Sequence, residues 1–294
     1  MLNRNKIKGN LIMLLTALVW GIGFVAQSAG MELIGANTFN GIRMLVGSLV
    51  LLPLAIFSGR KNKELSSKNL IIGGIICGCL LCAASTIQTW ALAYTTAGKS
   101  GFITAMYIIF VPIIGIFMKK RITAKTIICA LIALFGMYLL CVSGNVGSIN
   151  FGDIMTLVCA IIFSFHIIAV DHYSPKVNAV QFSCLQFFVC GIINIILMFL
   201  FEDPSFTVIK ECTIPILYSG LFACGIGYTL QPVGQRYAEP TTASILMSME
   251  SVFALLSGIV ILGDTPSLTE LIGCFIMFAA IILIQLPDKK RKGI

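Results

Sequence analysis

Charge is what this chain has least of. Only 11% of its 294 residues are charged, against about 25% in soluble domains. Aspartate and glutamate together number 12 and histidine 2, so acidic surface and histidine-rich metal centres are scarcest of all. With 58% of residues hydrophobic, no soluble core of this length could hide the apolar surface. The composition excludes a soluble domain and points to an integral membrane protein. Also absent are a G-x-x-x-x-G-K-[ST] phosphate loop, a paired-histidine metalloprotease motif and a G-x-S-x-G elbow. ATP hydrolysis and protease chemistry have no carrier, and no catalytic residue, metal ligand or cofactor is expected.

Cysteine is not lacking. The chain has eleven, but ten fall inside apolar runs and Cys212 at the edge of one, where cysteine behaves as a small hydrophobe. The C-x-x-C within "CGCLLC" (77–82) is flanked by Ile, Leu and Gly with no histidine near, so helix packing is the expected role. Gly74 and Gly78 form a G-x-x-x-G, which lets helices approach closely.

A membrane span needs about 20 mostly apolar residues. Ten stretches satisfy this: 9–29, 38–58, 69–93, 98–118, 124–142, 152–172, 179–201, 212–233, 241–262 and 268–286. The fold class expected is an all-α membrane protein of ten transmembrane helices. Counting Lys and Arg in alternate loops puts seventeen on one side, including Arg60, Lys120 and Arg236, and only Lys99 and Lys210 on the other. Both termini are therefore expected in the cytoplasm of a cell-membrane protein. The net charge of +8 follows from this bias and from the basic tail at 288–293, so it gives no reason to expect a nucleic-acid partner. The first span has a basic start and the small residues "AQSA" (26–29), as a signal peptide would. The internal repeat, however, counts it as an integral helix.

That repeat has a single offset of 143 residues. Gly9 meets Gly152, Phe39 meets Phe182, Gln88 meets Gln231, Tyr94 meets Tyr237, Met106 meets Met249 and Phe135 meets Phe278. Two copies are expected, 9–142 and 152–286. Each holds five spans, an odd number, so the second enters the membrane from the opposite side. Inverted repeats are a common build for secondary transporters, whose substrate site lies near the midplane between the copies.

Depth follows from about 1.5 Å of rise per residue. Tyr107 lies about 13 Å into the fourth span and Trp20 about 15 Å into the first, close to the bilayer centre. Their repeat mates are Glu250 and Phe163. An intramembrane carboxylate is a functional-site candidate by default: Glu250 could take up a proton or receive a substrate ammonium group. His166, in the inner half of the sixth span, reads equally as a cavity ligand or as a packed neutral histidine. Gln88 and Gln231 are mates near opposite faces, with Trp90 and Tyr228 beside them, which suits two mouths of a pathway. For Trp90 interfacial anchoring is the plainer reading.

Arg43, in "FNGIRMLVGSLVLLP" (39–53), lies about 7 Å below the outer end of the second span. A long side chain there can snorkel to the interface or reach a polar cavity mouth. A structural or gating contact is expected first and substrate binding second. Its mate is Gln186.

The stretches "ALVWGIGFVAQ" (17–27), "FNGIRMLVGSLVLLP" (39–53) and "TWALAYTTAGKSGFITAMYIIFVPIIGIF" (89–117) resemble the EamA domain of the drug/metabolite transporter superfamily. Residues 239–283, which include an "LG-acidic" element at Leu262, Gly263 and Asp264, look like its second copy. The first copy departs from the pattern with "KKRIT" (119–123), and the second with Gln186 in place of arginine. The resemblance implies a ten-helix carrier working by alternating access, with spans one, three, four, six, eight and nine around the cavity and five and ten more peripheral. The function expected is secondary active transport, as an exporter, of a small metabolite such as an amino acid. Partners are that small-molecule substrate, the lipid bilayer and a coupling ion, for which protons are the candidate; the oligomeric state stays open. Substrate-binding candidates are Trp20, Gln88, Tyr107, Phe163, His166, Tyr228, Gln231 and Glu250. The alternatives are a multidrug or organic-cation exporter and a lipid-handling subunit that does not transport.

Overall fold

In lipid every backbone polar group must be satisfied within the protein, which leaves helices as the default for single apolar segments. The computed structural model describes residues 4–31, 33–61, 67–91, 93–95, 97–119, 122–141, 149–262 and 265–286, and among them it is helical without a strand. The helices are α1 (Arg4–Met31), α2 (Ala36–Lys61), α3 (Ser67–Ala91), α4 (Ala97–Thr104), α5 (Tyr107–Phe117), α6 (Ala124–Cys141), α7 (Phe151–Tyr173) and α8 (Ala179–Phe201). The short α9 (Phe206–Glu211) and α10 (Thr213–Tyr218) follow, then a π-helical stretch over Ser219–Tyr228 and α11 (Thr229–Gln235). The chain ends with α12 (Pro240–Met247), α13 (Glu250–Ser257), a second π stretch at Gly258–Leu262 and α14 (Leu268–Gln285). Gly263, Asp264, Lys120, Arg121 and the tail at 288–293 lie outside the described residues.

Eight helical stretches among the described residues are long and apolar enough to cross a membrane. The spans expected at 124–142 and 268–286 appear as shorter apolar helices, Ala124–Leu140 and Leu268–Ile284. These two pack on each other, and their crossing is tight: a Cβ on Gly136 would lie 2.9 Å from the Gly273 carbonyl oxygen.

Packing runs chiefly between the first and second halves of the chain. Helix α2 lies along α8, α3 along α7 and α8, and α1 along α11, α13 and the first π stretch. The G-x-x-x-G of α3 packs as its spacing suggests. A Cβ on Gly78 would come 2.7 Å from Val189 Cβ, and one on Gly74 would overlap Leu185. One core, with Met13, Ile108, Met137, Ile245 and Met249, joins α1, α5, α6, α12 and α13. A second, with Met44, Leu81, Phe187 and Cys190, joins α2, α3 and α8. Phe57, Phe117, Phe199, Phe201 and Phe275 point outward, an apolar exterior suited to lipid.

The fourth and ninth spans are not uniform helices. Between α4 and α5 the ladder tightens at Ala105 and Met106, where Met106 N–H bonds to Ile103 O at 3.1 Å and Ile108 N–H to Ala105 O at 2.9 Å. Between α12 and α13 the same happens at Ser248 and Met249, with Met249 N–H on Leu246 O at 3.3 Å and Ser251 N–H on Ser248 O at 3.3 Å. These are i→i+3 bonds, and such mid-helix stretches often mark hinges. The two sites are separated by the repeat offset, and the residues that follow them are Tyr107 and Glu250.

Two packing points at opposite ends of the bundle obey the same offset. Tyr237 is gripped by α1: Lys8 Nζ lies 5.9 Å from its ring and a Cβ on Gly9 would sit 2.6 Å from Tyr237 Cβ. Tyr94 is gripped by α7: the Phe151 ring lies 5.6 Å away and a Cβ on Gly152 would sit 2.8 Å from Tyr94 Cβ. A third tie holds the end of α8 to the start of α2. The Glu202 carboxylate accepts from Asn37 N–H at 2.7 Å, Thr38 N–H at 2.9 Å and Thr38 Oγ1 at 2.6 Å, where the helix dipole favours a negative charge.

Candidate functional site

The helices enclose a central cavity of ≈ 80 Å³, room for several waters. Trp20 and Gly23 of α1, Arg43 of α2, and Ser85 and Gln88 of α3 form one part of its wall. Thr104 and Tyr107 come from either side of the tightened turn in the fourth span, and Met247 and Glu250 from either side of that in the ninth. Phe163, His166 and Ile167 of α7, Ala223 and Tyr228 of the π stretch and Gln231 of α11 complete it.

Most polar groups of the wall are tied to a neighbour. Trp20 Nε1 donates to Ala223 O at 3.1 Å, while its ring packs on Tyr228 with centroids 4.5 Å apart. The partner carbonyl belongs to the π-helical stretch, and such stretches often sit at functional sites. Gln88 Nε2 donates to Thr104 Oγ1 at 3.0 Å. His166 Nε2 lies 3.2 Å from Gln186 Oε1, both side chains being buried. Arg43 donates through Nε to Asn40 Oδ1 at 3.0 Å, its guanidinium 5.4 Å from the Phe39 ring. Asn40 in turn donates to Thr89 Oγ1 at 3.2 Å and Ser85 O at 3.4 Å.

Two groups stand apart. Gln231 Oε1 is buried without a partner among the described residues. The Glu250 carboxylate lines the cavity, and it makes no hydrogen bond or ion pair to any described residue. A carboxylate at this depth without a protein partner is costly.

The wall carries a regularity. Trp20 and Phe163, Gly23 and His166, Ser85 and Tyr228, Gln88 and Gln231, Thr104 and Met247, and Tyr107 and Glu250 are all pairs separated by 143 positions. Twelve of fifteen lining residues thus come as mates.

Comparison with known proteins gives this arrangement its context. The profile of the EamA-like transporter family matches twice, over residues 7–142 and 150–286. The chain belongs to that family. An Archaeoglobus fulgidus protein named an uncharacterized transporter is 29% identical over 282 residues, covering 96% of this chain and 87% of that one. A Clostridium kluyveri protein of the same description is 25% identical over 304 residues, covering 98% and 96%. A solved crystal structure superimposes with a TM-score of 0.79 at 16% identity, over 94% of this chain and 96% of that one, which shows a shared fold. The protein is therefore a multi-span membrane protein of a transporter family.

Against this EamA-like frame the residues singled out by sequence can be placed. All eight substrate-binding candidates line the one cavity. Trp90 does not; it is 38% exposed on the outside of the bundle, as an interfacial anchor would be. Arg43 does not snorkel outward: it is 4% exposed and lines the cavity beside the candidates. Rise along a helix gives depth but not rotation, and rotation turns this side chain inward. The reading missed Ser85, Thr104 and Met247, although the offset from Tyr228 pointed to the first. It also missed Asn40 and Gln186 as the residues that hold Arg43 and His166. The cysteines pack: Cys77, Cys82, Cys159, Cys190 and Cys224 are buried free thiols.

A second cavity of ≈ 480 Å³ lies toward the end of the bundle that carries the start of α1. Asp171, Gln235, Arg236 and Glu239 line it. Ile168 and Gln235 in its wall lie one residue and one helical turn beyond Ile167 and Gln231 in the wall of the central cavity.

Proposed function

We propose that the protein is a secondary active transporter of a small metabolite, such as an amino acid, that works by alternating access around the central cavity. The observation that carries this reading is the cavity wall built from six pairs of repeat mates. Such a wall fits ten spans arranged as two inverted repeats, 9–142 and 152–286, with the cavity on their pseudo-two-fold axis. The matched grips on Tyr94 and Tyr237 at opposite ends support the same symmetry. An axis of this kind gives two equivalent conformations, each opening the shared site to one face.

Glu250 is assigned the coupling or cation-binding role, and Trp20, Phe163, Tyr107 and Tyr228 the contact with the apolar part of the solute. Gln88, Gln231 and His166 would supply hydrogen bonds. With both termini in the cytoplasm of a cell-membrane protein, as the lysine and arginine bias has it, the larger cavity faces the cytoplasm. That arrangement favours loading from inside and hence export. With no nucleotide-hydrolysis motif, an ion gradient drives the cycle, and protons are assigned to it through Glu250.

The test is counterflow in proteoliposomes with labelled amino acids and organic cations, with and without a pH gradient. Wild type should exchange solute and respond to the gradient, and Glu250→Gln should abolish the driven component. Driven exchange that survives this substitution intact removes the proton role. No exchange of any solute by wild type would overturn the carrier reading.

A further inference from the structure

We infer that the two ends of the carrier are latched unequally, and that Thr95 and Asp153 form the stronger latch. The unloaded protein then rests closed at the end that carries Tyr94 and open at the end that carries Tyr237, where solute loads. This rests on the carrier reading above and deepens it by naming the resting state and the residues that set it.

Positions 143 apart do different work at the two ends. At the Tyr94 end, Thr95 Oγ1 donates to Asp153 Oδ1 at 2.6 Å. This bond joins the turn after α3 to the first turn of α7, and with them the two halves of the chain. Its acceptor is a carboxylate, which makes it one of the stronger kinds of hydrogen bond. Asn150 N–H, donating to Asp153 Oδ2 at 3.1 Å, holds that carboxylate in place. The equivalent positions at the Tyr237 end are Ala238 and Asn10. Ala238 has no hydroxyl to offer, and the buried Asn10 Oδ1 has no partner among the described residues.

A second pair differs in the same sense. Gln88 Nε2 donates to Thr104 Oγ1 at 3.0 Å, which ties α3 to α4 and stiffens the hairpin whose turn carries Thr95. At the other end Met247 stands in the place of Thr104, and Gln231 Oε1 is buried without a partner among the described residues. The junction of α2 with α8 follows suit. Asn37 and Thr38 are held by the Glu202 carboxylate at the Tyr94 end. At the Tyr237 end the tie is neutral, Ser58 Oγ donating to Asn178 Oδ1 at 3.2 Å. Arg236 does donate there to Ser174 O at 2.8 Å and to Val177 O. All three residues belong to the second half, so these bonds do not span the two. The cavity of ≈ 480 Å³ lies at this less tied end, with Tyr237 and Ala238 in its wall. Closing the Tyr237 end keeps two acceptors buried and unpaired, which is costly, and water admitted by opening satisfies them. Opening the Tyr94 end instead breaks the bond of Thr95 to a charge.

The test reads which end is open from a single cysteine in the central cavity, Ser85→Cys, in a chain freed of its native cysteines. A membrane-impermeant thiol reagent is applied from either side of proteoliposomes without solute, and counterflow by each variant shows that it is folded. The cysteine should react faster from the Tyr237 side. Thr95→Val should raise the rate from the Tyr94 side relative to the other by about 10- to 100-fold, the worth of a hydrogen bond to a charged group. Thr95→Ser keeps the hydroxyl and should react as the parent does, which a purely steric role of Thr95 would not give. Ala238→Ser, which offers Asn10 a partner, should lower the relative rate from the Tyr237 side by about 2- to 10-fold. The inference is overturned if the parent reacts faster from the Tyr94 side, if Thr95→Val keeps the parent's ratio, or if Thr95→Val and Ala238→Ser shift that ratio in opposite directions. Those results, obtained with a chain that exchanges solute, remove the latch alone; a wild type that exchanges no solute removes the carrier reading as well.

Discussion

Gly227 decides where Trp20 can sit. A Cβ at this position would overlap Trp20 Nε1 and lie 2.6 Å from Cδ1, so the indole packs directly on the π-helical backbone and reaches Ala223 O. Gly227→Ala should displace the ring, destabilise the protein by about 1–3 kcal/mol and weaken solute binding. Thermal unfolding and Trp fluorescence check this; an unchanged melting temperature with unchanged affinity would show that the indole position does not matter. At this scale the sequence was informative where two signals met, depth along a span and the repeat offset. Glu250 and Tyr107 were found because both are central and are mates. For Arg43 depth leaves two directions open, the interface or a polar cavity mouth, because rotation about a helix axis is set by packing, here by Asn40 and Phe39, which depth does not report. Gln186 was noted only as a mate of Arg43; that it holds His166 depends on how α7 meets α8.

Among elements, the spans at 98–118 and 241–262 read as unbroken helices, and nothing in "GFITAMYIIF" or "SILMSMESVF" announces a tightened turn. No glycine or proline marks positions 105–106 or 248–249. The i→i+3 bonds there are visible only in the structure, and the matched spacing of 143 aligns the two turns. The grips on Tyr94 and Tyr237 are more legible, since Gly9, Gly152 and both tyrosines already aligned at the offset. If these grips close opposite faces in turn, widening either glycine should bias the carrier in opposite directions. Gly9→Val should favour opening at the end that carries Tyr237, and Gly152→Val opening at the end that carries Tyr94. Distances between spin labels across each end would measure the shift; the same response to both substitutions would contradict the assignment.

For the molecule as a whole, scarcity of charge gave the membrane and the periodicity of apolar runs gave helices. The offset of 143 then pointed to the candidate site, because mates from two copies would converge where a pseudo-two-fold axis passed between them. What the sequence could not supply was which helices meet: α2 with α8 and α3 with α7 are long-range choices made by shape, through contacts such as Gly78 on Val189. The central claim is that one cavity, built from mated residues, opens to each face in turn. The most direct test places single cysteines at Thr104 and Met247, mates that both line the cavity, in a chain freed of its native cysteines. A membrane-impermeant thiol reagent is then applied from each side of the bilayer. Each cysteine should react from both sides, and a transported solute should slow both reactions. If Thr104→Cys reacts from one side only and Met247→Cys from the other only, the two positions do not share one alternately opened cavity.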